Sequence, residues 1–256
     1  MKKYPCFSPA RRAFTLVEVL VAFSIFSLLS AGVIGFFMTN LRMSYMTTGK
    51  LLVGKDVRDF TNTLSDDGRT ASSFKIYQSF SDRTEVFRGD SGDMMVFIHQ
   101  VTDRLPNRDE NGNPILVHRD RGDKYMRVVR LSGYYRNGLP GDDGAEVRFF
   151  SVDMTQLPPE NDPYDYTVLV ERIKGGLGAP PIDGPGGILE THLPAPETRG
   201  DPSHRVTLEL SRGLAEGVLF YNFQGQSVIV RGEIIHPGNR QRRATNTYNF
   251  TVTPRG

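Results

Sequence analysis

From Val19 to Met38, twenty consecutive residues carry no charge. As a helix rising about 1.5 Å per residue they span about 30 Å, the hydrocarbon thickness of a bilayer. Beyond them the pattern becomes amphipathic. Val53, Val57, Phe60 and Leu64 follow a 4-3-4 spacing that lines one helical face, while Lys50, Lys55, Asp56, Arg58 and Asp59 fill the others. The spacing predicts one helix from Phe14 to Leu64, with its first part (14–38) in lipid and a second part (39–67) packed on a body. Gly32 and Gly35 are expected bending points, and Gly68 in "SDDGRTASS" (Ser65–Ser73) is the expected stop.

After residue 68 the apolar positions change to short β-like runs separated by turn chemistry. "MMVFIHQV" (Met94–Val101), "YMRVVRLSGYYR" (Tyr125–Arg136), "AEVRFFSV" (Ala145–Val152) and "YTVLVERI" (Tyr166–Ile173) read as strands. So do "HRVTLEL" (His204–Leu210), "GVLFYNF" (Gly217–Phe223), "SVIVRGEII" (Ser227–Ile235) and "NTYNFTV" (Asn246–Val252), with Gly225 closing a tight hairpin. One long helix followed by many strands predicts an α+β fold, an antiparallel sheet laid against the helix over 68–256. Between the strands, Gly175–Pro202 holds seven Gly and six Pro in 28 residues and is expected to be a long exposed loop.

Charge is unevenly placed. Lys2, Lys3, Arg11 and Arg12 put four cations before residue 14 with no acid among them, and the remainder carries 27 basic against 29 acidic residues. The body is nearly neutral, so nothing in the balance argues for nucleic acid, and none is expected as a partner. By the positive-inside tendency, the N-terminus is expected to stay cytoplasmic and the body to be exported. The one cysteine, Cys6, rules out internal disulfides and cysteine-rich zinc sites in the body.

Glu18 stands out, because an acid beside a membrane span is rare and usually has a partner. A cleaved secretory signal, with Ser30-Ala31-Gly32 as cutting site, would have an apolar core of only about 7–15 residues. A plain anchor fits the length but leaves Glu18 unexplained. The stretch "RRAFTLVEVLVAFSIFSLL" from Arg11 resembles the signal of type IV pilins and type II secretion pseudopilins.

The resemblance implies that residues 1–13 are a leader, cut by prepilin peptidase between Ala13 and Phe14, with N-methylation of Phe14. Glu18 falls fifth in the mature chain, where the family carries a glutamate for subunit assembly. It is expected to pair with the Phe14 amine of a neighbouring subunit. Where family members have Gly before the cut, this chain has Ala13, which is expected to slow processing. The expected partners are prepilin peptidase, other pilin or pseudopilin subunits, an inner-membrane assembly platform and membrane lipid. Length and the β-rich body resemble the J-type pseudopilin or the W-type pilin among minor subunits. The implied role is a minor pseudopilin in a periplasmic filament for type II secretion. A minor pilin for adhesion, motility or DNA uptake is the alternative, and a membrane-anchored periplasmic enzyme or binding module is another.

Other chemistry is thin. In "NRDENGNPILVH", Asn107, Asp109 and Asn111 with Gly112 follow the first half of a calcium loop. The final position holds His118 instead of a bidentate Glu, so an Asn/Gly turn is the competing identity. "GDDGAE" (Gly141–Glu146) reads as a turn between strands. The five histidines (His99, His118, His192, His204 and His236) form no HxxxH or HExxH unit, and no nucleophile elbow or P-loop is present. The chain is expected to be no enzyme and to need no cofactor.

Overall fold

The computed structural model describes residues 15–108, 111, 114–115, 124–138, 144–213, 218–235 and 245–255. The chain forms two compact units, one through Gly49 and one from Lys50 onward. A single helix, α1 (Leu16–Thr70), supplies the described part of the first unit and opens the second.

In the second unit the chain continues as β1 (Ser73–Tyr77), β2 (Ser91–Gly92), β3 (Met94–Arg104), β4 (Asn107–Arg108), β5 (Pro114–Ile115), β6 (Lys124–Arg136) and β7 (Ala145–Asp153). Then come α2 (Tyr166–Lys174), α3 (Ile188–His192) and a 3-10 turn at Pro196–Thr198. Four strands finish it: β8 (Arg205–Gly213), β9 (Phe220–Phe223), β10 (Ser227–Ile235) and β11 (Thr245–Val252). Nine strands form one sheet in the order β1-β3-β6-β7-β8-β10-β9-β2, with β11 added on β10. Every pairing is antiparallel, and β4 and β5 make a separate hairpin. This is the expected α+β architecture.

The sheet is covered on both faces where β3 and β6 run through it. Met95 and Phe97 point to the α1 side, in a core with Phe60, Leu64, Tyr134, Val230, Tyr248 and Val252. Met94, Val96 and Ile98 point the other way, to Leu131, Tyr135, Phe150, Leu169, Ile188 and Leu189. That double burial is why "MMVFI" is apolar at every position instead of alternating. Phe60 anchors α1, with edge-on ring contacts to Tyr134, Tyr248 and Phe250 at 6.1, 6.0 and 6.0 Å.

Three expectations are corrected. "YTVLVERI" is not a strand but α2, capped by Asp165, whose carboxylate accepts the Thr167 N–H at 2.8 Å. Its Leu169 and Ile173 lie one turn apart and are both buried, so a helical face suits this site on the sheet. Gly68 does not stop α1, which runs on to Thr70. It is buried there, and a Cβ on it would lie 2.0 Å from Val252 Cγ1, so the glycine serves close approach of helix and strand. Gly175–Pro202 is not simply an exposed loop. It carries α3, and Ile188 and Leu189 are buried in the second core. The Gly225 hairpin does form, with positive φ at Gln224 (55°) and Gly225 (71°).

Candidate functional site

α1 begins at Leu16, and its start is built from the preceding Thr15 and from Glu18. The Thr15 N–H and hydroxyl both donate to Glu18 Oε2 at 2.9 Å, and the Glu18 N–H donates to Thr15 Oγ1 at 3.3 Å. This reciprocal arrangement is a capping box, which satisfies backbone donors that the first helical turn leaves unpaired. The carboxylate also lies at the positive end of the helix dipole. A Thr-x-x-Glu sequence ahead of an apolar run is the sequence signature of such a cap. It stood in "TLVE" (Thr15–Glu18) beside the assembly reading and was overlooked.

Among the described residues, the rest of this unit presents exposed apolar side chains. Leu16 and Leu28 are each 77 % exposed, and Phe23, Phe26, Phe36 and Phe37 are also exposed. The helix is long and apolar enough to cross a membrane, and none of its most apolar 18-residue window is buried. Two polar side chains of this stretch bond back to their own helix. Ser24 donates to the Leu20 carbonyl at 2.8 Å and Thr39 to the Gly35 carbonyl at 2.9 Å, which suits them to a solvent that offers no hydrogen bonds. The leader residues Lys2, Lys3, Arg11 and Arg12, the Ala13–Phe14 bond and the Phe14 amine lie outside the described residues.

In the second unit, two polar clusters tie elements together. Asp67 near the end of α1 accepts from Tyr134 Oη at 2.6 Å and from Arg130 Nη2 at 3.1 Å. Arg130 Nη2 in turn lies 3.4 and 3.3 Å from the ring nitrogens of His99, and Thr70 Oγ1 lies 3.3 Å from His99 Nδ1. Burial first, then the Arg130 charge, holds the His99 imidazole below its ordinary pKa. The second cluster is fully buried. Asp93 Oδ2 accepts from Arg136 Nε at 3.0 Å and Nη2 at 2.6 Å, and Oδ1 accepts the Leu219 N–H at 3.1 Å. It joins the start of β3, the end of β6 and the approach to β9.

His204 is also structural: its Nδ1 lies 2.8 Å from Tyr135 Oη, and Phe80, Tyr135 and Phe150 surround the ring. Burial is the main cause of its lowered pKa, and the same holds for His192. These three histidines stand apart in the fold; His118 and His236 lie outside the described residues. For the calcium pattern, Asn107 sits in β4 opposite Ile115 of β5 and Asn111 in the intervening turn, while Asp109 lies outside the described residues. Among the described residues no three His, Cys, Asp or Glu side chains are grouped to hold a metal ion.

The chemistry concentrated at one place is therefore the capped start of a bare apolar helix. Residues 8–34 match the prokaryotic N-terminal methylation motif, the mark of the prepilin-type signal of type IV pilins and pseudopilins. With the long apolar helix, this fits a single-pass membrane-anchored protein. No curated protein and no solved structure matches the chain.

Proposed function

We propose that the chain is a minor pilin-like structural subunit: a prepilin cut between Ala13 and Phe14, methylated on Phe14, and built into a periplasmic pseudopilus for type II protein secretion. The observation that carries this reading is the methylation motif at residues 8–34 running straight into an apolar helix whose large side chains are exposed among the described residues. Lipid covers such a surface before assembly, and neighbouring helices cover it afterwards. The basic leader residues keep the N-terminus cytoplasmic and leave the β-rich body in the periplasm.

Glu18 has two roles in this scheme. In the single chain it caps α1 through Thr15. A carboxylate has about four acceptor positions, so it can keep the cap and still receive the Phe14 amine of a neighbouring subunit. In a low-dielectric setting either charge alone is costly, and the pair fixes the register between subunits. Participation in secretion, as opposed to adhesion or motility, shows in which subunits co-assemble with the chain.

The test is intact-mass and N-terminal peptide analysis of the membrane-extracted protein, from cells with and without prepilin peptidase. A chain starting at methylated Phe14, seen only with the peptidase present, is expected. A start at Met1 in both strains, or near Val33, overturns the reading.

A further inference from the structure

The loop Val86–Asp90 and the turn between β9 and β10 meet at one corner of the body, and that corner displays aromatic side chains on a rigid frame. Phe87 is 76 % exposed and Phe223 44 %. Between them Asn222 is buried and binds both segments. Its side chain donates to the Val86 carbonyl at 3.2 Å and accepts the Gly225 N–H at 2.8 Å. Its backbone carbonyl accepts the Gly89 N–H, and its N–H donates to the Asp90 carbonyl, both at 2.9 Å. Through these four hydrogen bonds one residue ties together the backbone of the two segments that carry the exposed rings.

Two cations flank the rings. Arg231 lies over the Tyr221 ring at 5.0 Å, and Arg88 packs against the turn at Gly225. Neither has a carboxylate partner among the described residues, and Arg231 Nε is buried there without a hydrogen-bond acceptor. Asp90 is the acid of the loop, so among the described residues the corner is net positive.

We propose that this corner is a docking surface for another subunit of the same assembly, which contributes an apolar pocket with carboxylates on its rim. The proposal rests on the subunit reading above. Exposed Phe with a half-buried Tyr beside Arg is the composition of an interface centre, where a few anchors carry most of the binding energy. The charge balance selects an acidic rim. The Asn222 frame leaves little to be ordered on docking, so the cost of association is low. A lipid surface fits less well, because membrane-dipping loops combine apolar tips with several cations, and here the loop itself carries the acid Asp90.

The experiment places a photo-crosslinking phenylalanine at position 87 of the full-length chain in its own cells, with the same group at Leu52 on α1 and at Leu177 elsewhere on the body. The expected result is an adduct from 87, and none from 177, with a different protein that itself bears a prepilin-type signal. Phe223→Ser, an exposed change that leaves the thermal midpoint in place, should lower its yield at least tenfold, and Arg88→Glu should lower it as well. Adducts from 52 but not from 87 overturn the docking corner and leave the subunit reading standing. Adducts from 87 only with lipid, or only with a second copy of this chain, overturn the proposal as stated. No adduct from either 52 or 87 overturns it together with the subunit reading.

Discussion

Replacing Gly68 by Ala sets two effects of opposite sign against each other. In a helix interior Ala is favoured over Gly by about 1 kcal/mol, because the glycine backbone loses more freedom on folding. The added Cβ, however, would lie 2.0 Å from Val252 Cγ1 and 3.4 Å from Phe97 Cζ. Carbon atoms settle about 3.5–4.0 Å apart, so helix or strand must move by more than an ångström. Overpacking of this kind costs about 1–3 kcal/mol, and Val252 is too well buried to turn aside freely. The expected net effect is a loss of up to about 2 kcal/mol.

Gly54→Ala is the internal reference. It lies in the same helix, with nothing within 4 Å of the added Cβ, and should gain up to about 1 kcal/mol. Urea unfolding of the detergent-solubilised chain, followed by near-ultraviolet dichroism of the core aromatics, measures both. The pair Gly68→Ala and Val252→Ala should be less damaging together than the sum of the singles, by about 1 kcal/mol. Equal stabilisation by Gly68→Ala and Gly54→Ala would refute the close-approach argument.

Three further outcomes are expected. Asp93→Ala removes the buried carboxylate that pairs with the Arg136 guanidinium and should cost about 3–5 kcal/mol in the same unfolding assay, whereas Asp93→Leu combined with Arg136→Met should cost clearly less; equal losses would show that the pair is not what matters. His99 is held below its ordinary pKa by burial and by Arg130, so the unfolded chain binds the proton more readily. Its contribution is complete above about pH 6.5 and is lost as the pH falls below that value, so His99→Gln should flatten the decline in thermal midpoint between about pH 7 and 5. An unchanged slope would remove His99 as its source. Glu18→Ala should leave leader cleavage intact by mass while the subunit is missing from isolated filaments, and Thr15→Ala should reduce helix stability by roughly 0.5–2 kcal/mol through loss of the cap; normal incorporation of the Glu18 variant would sink the register role.

Some of this protein was legible in the chain because the physics involved is local. Twenty uncharged residues are long enough to cross lipid whatever surrounds them, and the residues around Ala13, Phe14 and Glu18 form a motif readable without a fold. Runs such as "SVIVRGEII" were legible as strands because β-branched residues between turns suit a pleated surface. The capping box at Thr15 was equally local, and was passed over because Glu18 already had a reading.

What failed was decided at a distance. "YTVLVERI" has the β-branched content of a strand, yet its Leu169 found an apolar patch on the far face of β3 and β6, and Asp165 capped the helix that uses it. Gly68 carries the same composition signal whether it ends a helix or lets one approach a strand, and only the position of Val252 separates the two. The pairing of Asp93 with Arg136, and of Asp67 with Arg130 and Tyr134, joins residues 43 to 67 positions apart. No spacing along the chain marks such pairs, because the sheet order that brings them together is set by packing of the whole body. The sequence by itself determined the anchor, the methylation motif and the fold class, each from nearest neighbours; the tertiary structure alone decided which surfaces meet.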